Sequence, residues 1–146
     1  LYGGLILTKE GPKVIEFNAR FGDPETEVVL PRLESDIYDL FDAAIDSADH
    51  ETKWSDEPCL GVVLASDGYP GSYKKGVELD FDGCSKVYHM GTSVKDGKLQ
   101  SAGGRVAMVT GKGKTLEEAA ANAYADVRKA TREGLFFRSD IGKQVL

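Results

Sequence analysis

The chain has 146 residues, 41% of them hydrophobic and 29% charged, the composition of an ordinary folded soluble polypeptide with room for one sizeable core or two small ones. Its formal charge of −6, with no basic cluster longer than Tyr73-Lys-Lys75, argues against non-specific binding to nucleic acid or to a membrane surface. No apolar run approaches the roughly 18 residues of a membrane span, no secretory leader pattern is present, and Cys59 and Cys84 form neither a C-x-x-C pair nor a disulfide framework, so a cytoplasmic protein with reduced thiols is expected.

Residues 1–8, Leu1-Tyr-Gly-Gly-Leu-Ile-Leu-Thr8, enter directly as a strand. With Gly11-Pro12 as the turn signal they are expected to form a hairpin with residues 13–18. A lone hairpin is marginal in water, and the chain opens without an initiator Met. The expectation is therefore a C-terminal piece of a longer protein whose sheet the hairpin joins.

Alternation along the second strand puts Val14, Glu16, Asn18 and, if the chain stays extended, Arg20 on one face. Ile15, Phe17, Ala19 and Phe21 share the other, which is expected to be core. The polar face lines up a carboxylate, a carboxamide and a guanidinium: two hard oxygen donors, then a planar cation suited to phosphate or carboxylate. A half-buried strand with a solvated polar face shows the same alternation, so the pattern alone does not separate a site from a surface. Gly22 then permits a sharp turn, Asp23 suits an N-cap and Pro24 the first helical position, giving a strand-to-helix corner.

Residues 24–30 have length for about two helical turns before Pro31 interrupts the ladder. Ser35 is expected to cap a clearer helix ending near Asp49. Its apolar face of Ile37, Leu40, Phe41, Ala44, Ile45 and Ala48 would pack on a sheet. Residues 51–58, acidic and closed by Pro58, have the composition of a linker.

The second module opens with the continuous apolar strand Cys59-Leu-Gly-Val-Val-Leu-Ala65 and the loop Ser66-Asp-Gly-Tyr-Pro-Gly-Ser-Tyr-Lys-Lys-Gly76, whose Tyr and Lys residues read as surface or ligand contacts. Short strands are expected over 77–81, 86–90, 92–95, 98–101 and 104–110, with Asp82-Gly83 and Asp96-Gly97 as turns. Gly113-Lys114-Thr115 imitates the end of a P-loop, but the position needing its first glycine is Met108. A capping box of Thr115 and Glu118 explains the segment better, opening a helix with the apolar face Leu116, Ala120, Ala123, Val127, Ala130. His50 and His89 lack the partners of a triad or a metal set. Residues 135–142 read as a short strand and a turn in which Arg138 and Asp140 pair.

The string Glu16-Phe-Asn-Ala-Arg-Phe-Gly-Asp-Pro-Glu-Thr26 resembles the magnesium-binding strand of ATP-grasp ligases. Its E-x-N-x-R core is shared across that superfamily. The F-G-D-P-E-T continuation is narrower and resembles the phosphoribosylamine–glycine ligase, or glycinamide ribonucleotide synthetase, family. Tyr69-Pro-Gly-Ser-Tyr-Lys-Lys-Gly76, Val87-Tyr-His-Met-Gly-Thr92, Gly103-Gly-Arg-Val106, Val109-Thr110 and Phe137-Arg-Ser-Asp-Ile-Gly142 are similar to the C-terminal domain of that family. Met90 and Met108 depart from the smaller or aliphatic residues expected there, which touches packing rather than chemistry.

The resemblance implies an α+β fold. Residues 1–50 would end an ATP-grasp domain as an antiparallel hairpin plus helices, 51–58 would link, and 59–146 would form a small, mostly antiparallel barrel- or sandwich-like domain with one long helix. It implies ATP-dependent joining of glycine to 5-phosphoribosylamine through glycyl phosphate, a step of purine biosynthesis. Glu16 and Asn18 match the family's ligands for Mg²⁺ or Mn²⁺, and through the metal Asn18 reaches the ATP. Arg20 is the candidate for stabilising the transferred phosphoryl group or acyl phosphate and for touching substrate. Asp23 either orients phosphoribosylamine or glycine or is only an N-cap. Most of the nucleotide cleft would lie upstream, so the isolated chain is expected to be inactive. Another ATP-grasp carboxylate–amine ligase or carboxylase would share E-x-N-x-R, and a non-enzymatic carrier or binding module is the third reading.

Overall fold

In the computed structural model, which describes residues 1–130 and 133–145, β1 (Tyr2–Thr8) and β2 (Gly11–Asn18) pair antiparallel around a turn at Lys9 and Glu10. Gly11 and Pro12, expected to form that turn, instead open β2 opposite Thr8 and Leu7. Gly11 has φ of 101°, which only glycine adopts readily, and so sets the exit from the turn. The register slips between Gly4 and Leu5, leaving Ile15 as an extra residue in β2, so the simple alternation expected from Val14 to Asn18 is interrupted. The face expected to be core is open: Ile15 and Phe17 are 66% and 65% exposed, because among the described residues no helix or second sheet covers this two-stranded ribbon.

The corner after β2 is tighter than expected. Gly22 O accepts from both the backbone N–H (3.1 Å) and the hydroxyl (2.6 Å) of Thr26, and helix α1 (Thr26–Val29) is a single turn. Its N-cap is Glu25, without a side-chain capping bond. Asp23 is therefore not the cap and Pro24, which follows a cis peptide bond, is not the first helical residue. Pro31 lies inside a 3₁₀ turn, Leu30–Arg32. Helix α2 (Ile37–Ile45) is capped by Asp36, whose carboxylate accepts from Tyr38 N at 2.8 Å. Ser35, the expected cap, bonds instead to Lys53 N and Glu51 O. No residue of α2 is buried and Tyr38, Phe41 and Ile45 are exposed, so this amphipathic helix does not pack on a sheet as expected. Residues 51–58 are tied back to the chain: Leu33 bridges Trp54, Glu34 N donates to Lys53 O, and Arg32 reaches Ser55 O at 3.0 Å.

The core lies in the second half. Strands β3 (Cys59–Ser66), β4 (Val87–His89), β7 (Arg105–Lys112) and β8 (Leu135–Phe136) form an open antiparallel sheet in the order β4-β7-β3-β8. A separate hairpin joins β5 (Thr92–Lys95) to β6 (Lys98–Ser101). Asp96 and Gly97 both have positive φ, as the two-residue turn predicted there requires. The strand expected over 77–81 is absent as a strand. The segment still runs beside β6, with Leu79 N donating to Leu99 O and Ser101 N to Val77 O. Helix α3 (Leu116–Val127) begins at Thr115, whose hydroxyl accepts from Glu118 N, while the Glu118 carboxylate reaches back to Lys114 N rather than to the cap itself.

Helix α3 lies on β3 and β7. Leu60, Val62 and Leu64, alternate residues of β3, meet Ala119, Ala120, Ala123 and Val127 of the helix, and burying each large aliphatic side chain contributes about 1.5–3 kcal/mol. The small helix residues match Gly111, where an added Cβ would run into Ala119 O and Ala123 N. On the opposite face α1 sits against the sheet: a Cβ at Gly61 would collide with Met108 and Val28. The second half is thus a helix packed on a sheet, with the short helix α1 of the first half against the sheet's other face, an α+β arrangement. Among the described residues no helix is long and apolar enough to cross a membrane.

Candidate functional site

The end of β2 and the corner after it hold all four residues singled out by sequence. Glu16 and Asn18 are side by side: Asn18 Nδ2 donates to Glu16 Oε1 at 3.0 Å. Gly4 faces Glu16 across the hairpin, and a Cβ there would lie 3.2 Å from Glu16 Cγ, so the glycine leaves room for the carboxylate to lie over β1. The pair leaves Glu16 Oε2 and Asn18 Oδ1 for a ligand. Two hard oxygens fit an ion that keeps several waters and takes its remaining ligands from phosphate. Among the described residues there is no group of three or more His, Cys, Asp or Glu side chains that would hold a metal by themselves.

Tyr2 pairs with Asn18 across the ladder, and desolvation, with the nearby carboxylates of Glu25 and Glu16, pushes its hydroxyl pKa up. Glu25 folds back over Gly22, where any Cβ would overlap its carboxylate. Three acidic or phenolic groups therefore gather around the E-x-N strand end. Sequence reasoning passed over Tyr2 and Glu25: counted from the Lys9–Glu10 turn alone Tyr2 would face Phe17, and only the extra residue Ile15 brings it opposite Asn18.

Arg20 is exposed and turns back on the corner, Nη1 donating to Phe21 O at 2.8 Å, beside a shallow hollow lined by Leu1, Tyr2 and Phe41. Most of its fork is free to take oxygens. Asp23 meets the second half of the chain instead. Arg105 Nη1 donates to its carbonyl at 2.9 Å and lies 3.4 Å from its carboxylate. The structure thus brings Glu16 and Asn18 together, leaves Arg20 beside them, and ties Asp23 to the second half of the chain. Arg105 has no signal in alternation or spacing that would have marked it.

The groups set aside in the sequence are structural. His89 Nδ1 meets Thr92 Oγ1 at 3.2 Å with its ring edge-on to Phe81, and His50 Nδ1 meets Glu51 O at 2.9 Å. Gly113 lies against the first turn of α3, where a Cβ would run into Ala119 N and the Glu118 side chain. Cys59 and Cys84 are free, and burial pushes both thiols up, away from reactivity at neutral pH.

Comparison with known proteins gives a consistent result. Residues 59–144 match the family described as Phosphoribosylglycinamide synthetase, C domain, and residues 1–26 match its ATP-grasp (A) domain. A phosphoribosylamine–glycine ligase of Halalkalibacterium halodurans is 47% identical over 150 residues, covering all of this chain and 35% of its own length. The trifunctional purine biosynthetic protein adenosine-3 of Gallus gallus is 44% identical over 156 residues, covering all of this chain and 15% of its own. The crystal structure of the Thermotoga maritima phosphoribosylamine–glycine ligase superposes with a TM-score of 0.86 at 35% identity, over 96% of this chain and 36% of that one. The chain spans about a third of the length of the ligases it matches. With most of its length matched to the C domain and its first strands to the ATP-grasp domain, the chain belongs to the phosphoribosylglycinamide synthetase family.

Proposed function

We propose that the chain supplies the C-terminal part of an ATP-dependent ligase that joins glycine to 5-phosphoribosylamine, giving glycinamide ribonucleotide, ADP and phosphate. The observation that carries this reading is the adjacent Glu16–Asn18 oxygen pair on the strand that matches the ATP-grasp domain. A glycine carboxylate oxygen attacks the γ-phosphorus and ADP leaves. The amine of phosphoribosylamine then attacks the acyl carbon of glycyl phosphate, phosphate leaves, and the nitrogen loses a proton.

Glu16 and Asn18 would hold Mg²⁺ or Mn²⁺ through their carboxylate and carboxamide oxygens, and through the ion Asn18 would reach the ATP. Bound there, the ion supplies charge neutralisation between the carboxylate and the β,γ-phosphates. Arg20 offers the free part of its fork to the transferred phosphoryl oxygens and stays cationic throughout. Asp23 keeps a half-exposed carboxylate that suits the amine of either substrate. The domain reading of 1–50, 51–58 and 59–146 is supported by the two matched stretches. The uncovered ribbon faces support a need for the rest of an ATP-grasp domain. Unpaired thiols fit a reducing compartment, so the proposed location is the cytoplasm.

The test joins this chain, by fusion or co-expression, to the N-terminal part of a homologous ligase and follows ADP formation. Turnover is expected to require both glycine and phosphoribosylamine, and Glu16→Gln should lower kcat by about 100-fold or more. Turnover indifferent to glycine would move the reading to another ATP-grasp ligase; full activity in Glu16→Gln would return the strand to a solvated polar face.

A further inference from the structure

On the face of the sheet opposite α3 is an apolar hollow of about 510 Å³ floored by Gly61, Val63 and Ala65, with Arg105 and Arg138 at its rim and Pro24 of the corner at its edge. Two guanidiniums around a hollow invite an anion site, but both are already engaged. Arg138 forks onto Asp140, Nε to Oδ1 at 2.9 Å and Nη2 to Oδ2 at 2.8 Å. Arg105 is committed to Asp23, with its shorter contact to the backbone carbonyl rather than to the carboxylate. That choice of acceptor describes a clamp on the main chain, not a counterion.

The arm of the clamp is rigid. Arg105 is the first residue of the central strand β7, and the backbone before it is closely packed: Tyr69 covers Gly104, a Cβ on Gly91 or on Gly103 would run into the other's Cα, and Ser66 donates to Gly104 O (2.8 Å) and Gly103 O (2.9 Å). The held segment follows the metal strand at once, since Asp23 is three residues beyond Arg20 and five beyond Asn18. A second point of attachment, Val28 against Gly61 and Met108, fixes the far side of the same corner.

We propose that Arg105 is a positioning residue that locks the Gly22–Asp23–Pro24 corner, and with it Glu16, Asn18 and Arg20, to the sheet of the second module. This rests on the ligase reading of that strand. A displacement near 1 Å at a site of this kind costs up to about 100-fold in rate, so the second module contributes to catalysis without touching substrate.

Two measurements test it. In the joined ligase, Arg105→Ala should lower kcat by about tenfold or more with KM for ATP held within about twofold. Arg105→Lys, which keeps one donor and the charge, should recover part of the loss, and Arg138→Ala, which removes the other rim guanidinium, should stay near wild type. Equal rates in Arg105→Ala and wild type, or equal losses in Arg105→Ala and Arg138→Ala, would overturn the clamp. In the 146-residue chain by itself, amide exchange at Thr26, Val28 and Val29 should quicken in Arg105→Ala by about tenfold while β3 and β7 keep their protection. Asp23→Asn, which retains the carbonyl contact, should change it little. Unaltered exchange in Arg105→Ala would overturn the clamp even if the joined protein proved to have no glycine-dependent turnover, an outcome that would count against the ligase reading alone.

Discussion

Asp126 shows how one buried charge fastens two elements. Its Oδ2 accepts from Ser85 N at 2.7 Å and its Oδ1 from Lys129 Nζ at 2.6 Å, while Lys129 also donates to Gly83 O, so the turn before β4 is fixed to the end of α3. The Lys129 hydrogen bond, with those from Ser85, holds the Asp126 carboxyl below its ordinary value of 3.8 against the opposing effect of burial. A lowered folded-state pKa means that this contribution is complete above about pH 4 and is lost as the pH falls through the folded value. Asp126→Asn should cost about 1–3 kcal/mol at pH 7, and the gap to wild type should narrow in urea unfolding at pH 3. A gap that persists unchanged at pH 3 would assign the effect to shape instead of charge. At this scale the sequence was partly legible. Glu16 and Asn18, two apart on one strand, had to be neighbours whatever the rest of the fold did. Arg105 and Asp23 meet across 82 residues, a pairing that only the folded chain specifies.

Among the elements, the joint between α3 and β7 is the most demanding. Gly111 is buried near the end of β7, and the helix backbone fills the space its side chain would take. Gly111→Ala should destabilise the chain by about 1–3 kcal/mol or more, read as a lower urea midpoint. Gly3→Ala, whose new methyl would meet only the Phe17 ring at 3.6 Å, should change the midpoint little. Elements whose pattern reflects their own local chemistry were readable in advance: β3 from its apolar run, the Asp96-Gly97 hairpin from its turn residues, α3 from its cap and apolar stripe. Those governed by what lies beside them were not. Residues 77–81 have strand composition but meet β6 through scattered bonds and one isolated bridge, Glu78 with Gln100, instead of a continuous ladder, and α2 has an apolar stripe with no buried residue. The corner misled for a different reason: Asp23 and Pro24 suit a helix start, but the helix starts at Thr26, which bonds back to Gly22 O, and Asp23 is left to Arg105.

At the scale of the molecule, burial is uneven. The side chains with no exposure belong to the β3–β7–α3 half and its flanking loops, whereas Leu5, Ile6, Leu7, Val14 and Phe17 of the ribbon are more than half exposed. Amide exchange should therefore split the chain in two, with β3, β7 and α3 protected up to global unfolding and β1 and β2 exchanging orders of magnitude faster; uniform protection would show that the ribbon is held by contacts not described above. The pairing registers carry a consequence for time as well as for stability. Thr8 and Gly11 are three residues apart, so the β1–β2 hairpin closes on the order of microseconds. Cys59 pairs with Lys112 and Ser66 with Leu135, loops of 53 and 69 residues whose closure entropy must be met before any contact rewards it. The first piece to take shape is the one least able to keep it: the strand bearing Glu16 and Asn18 zips and unzips repeatedly until the slow, long-range half has formed and Arg105 is in place to hold the corner.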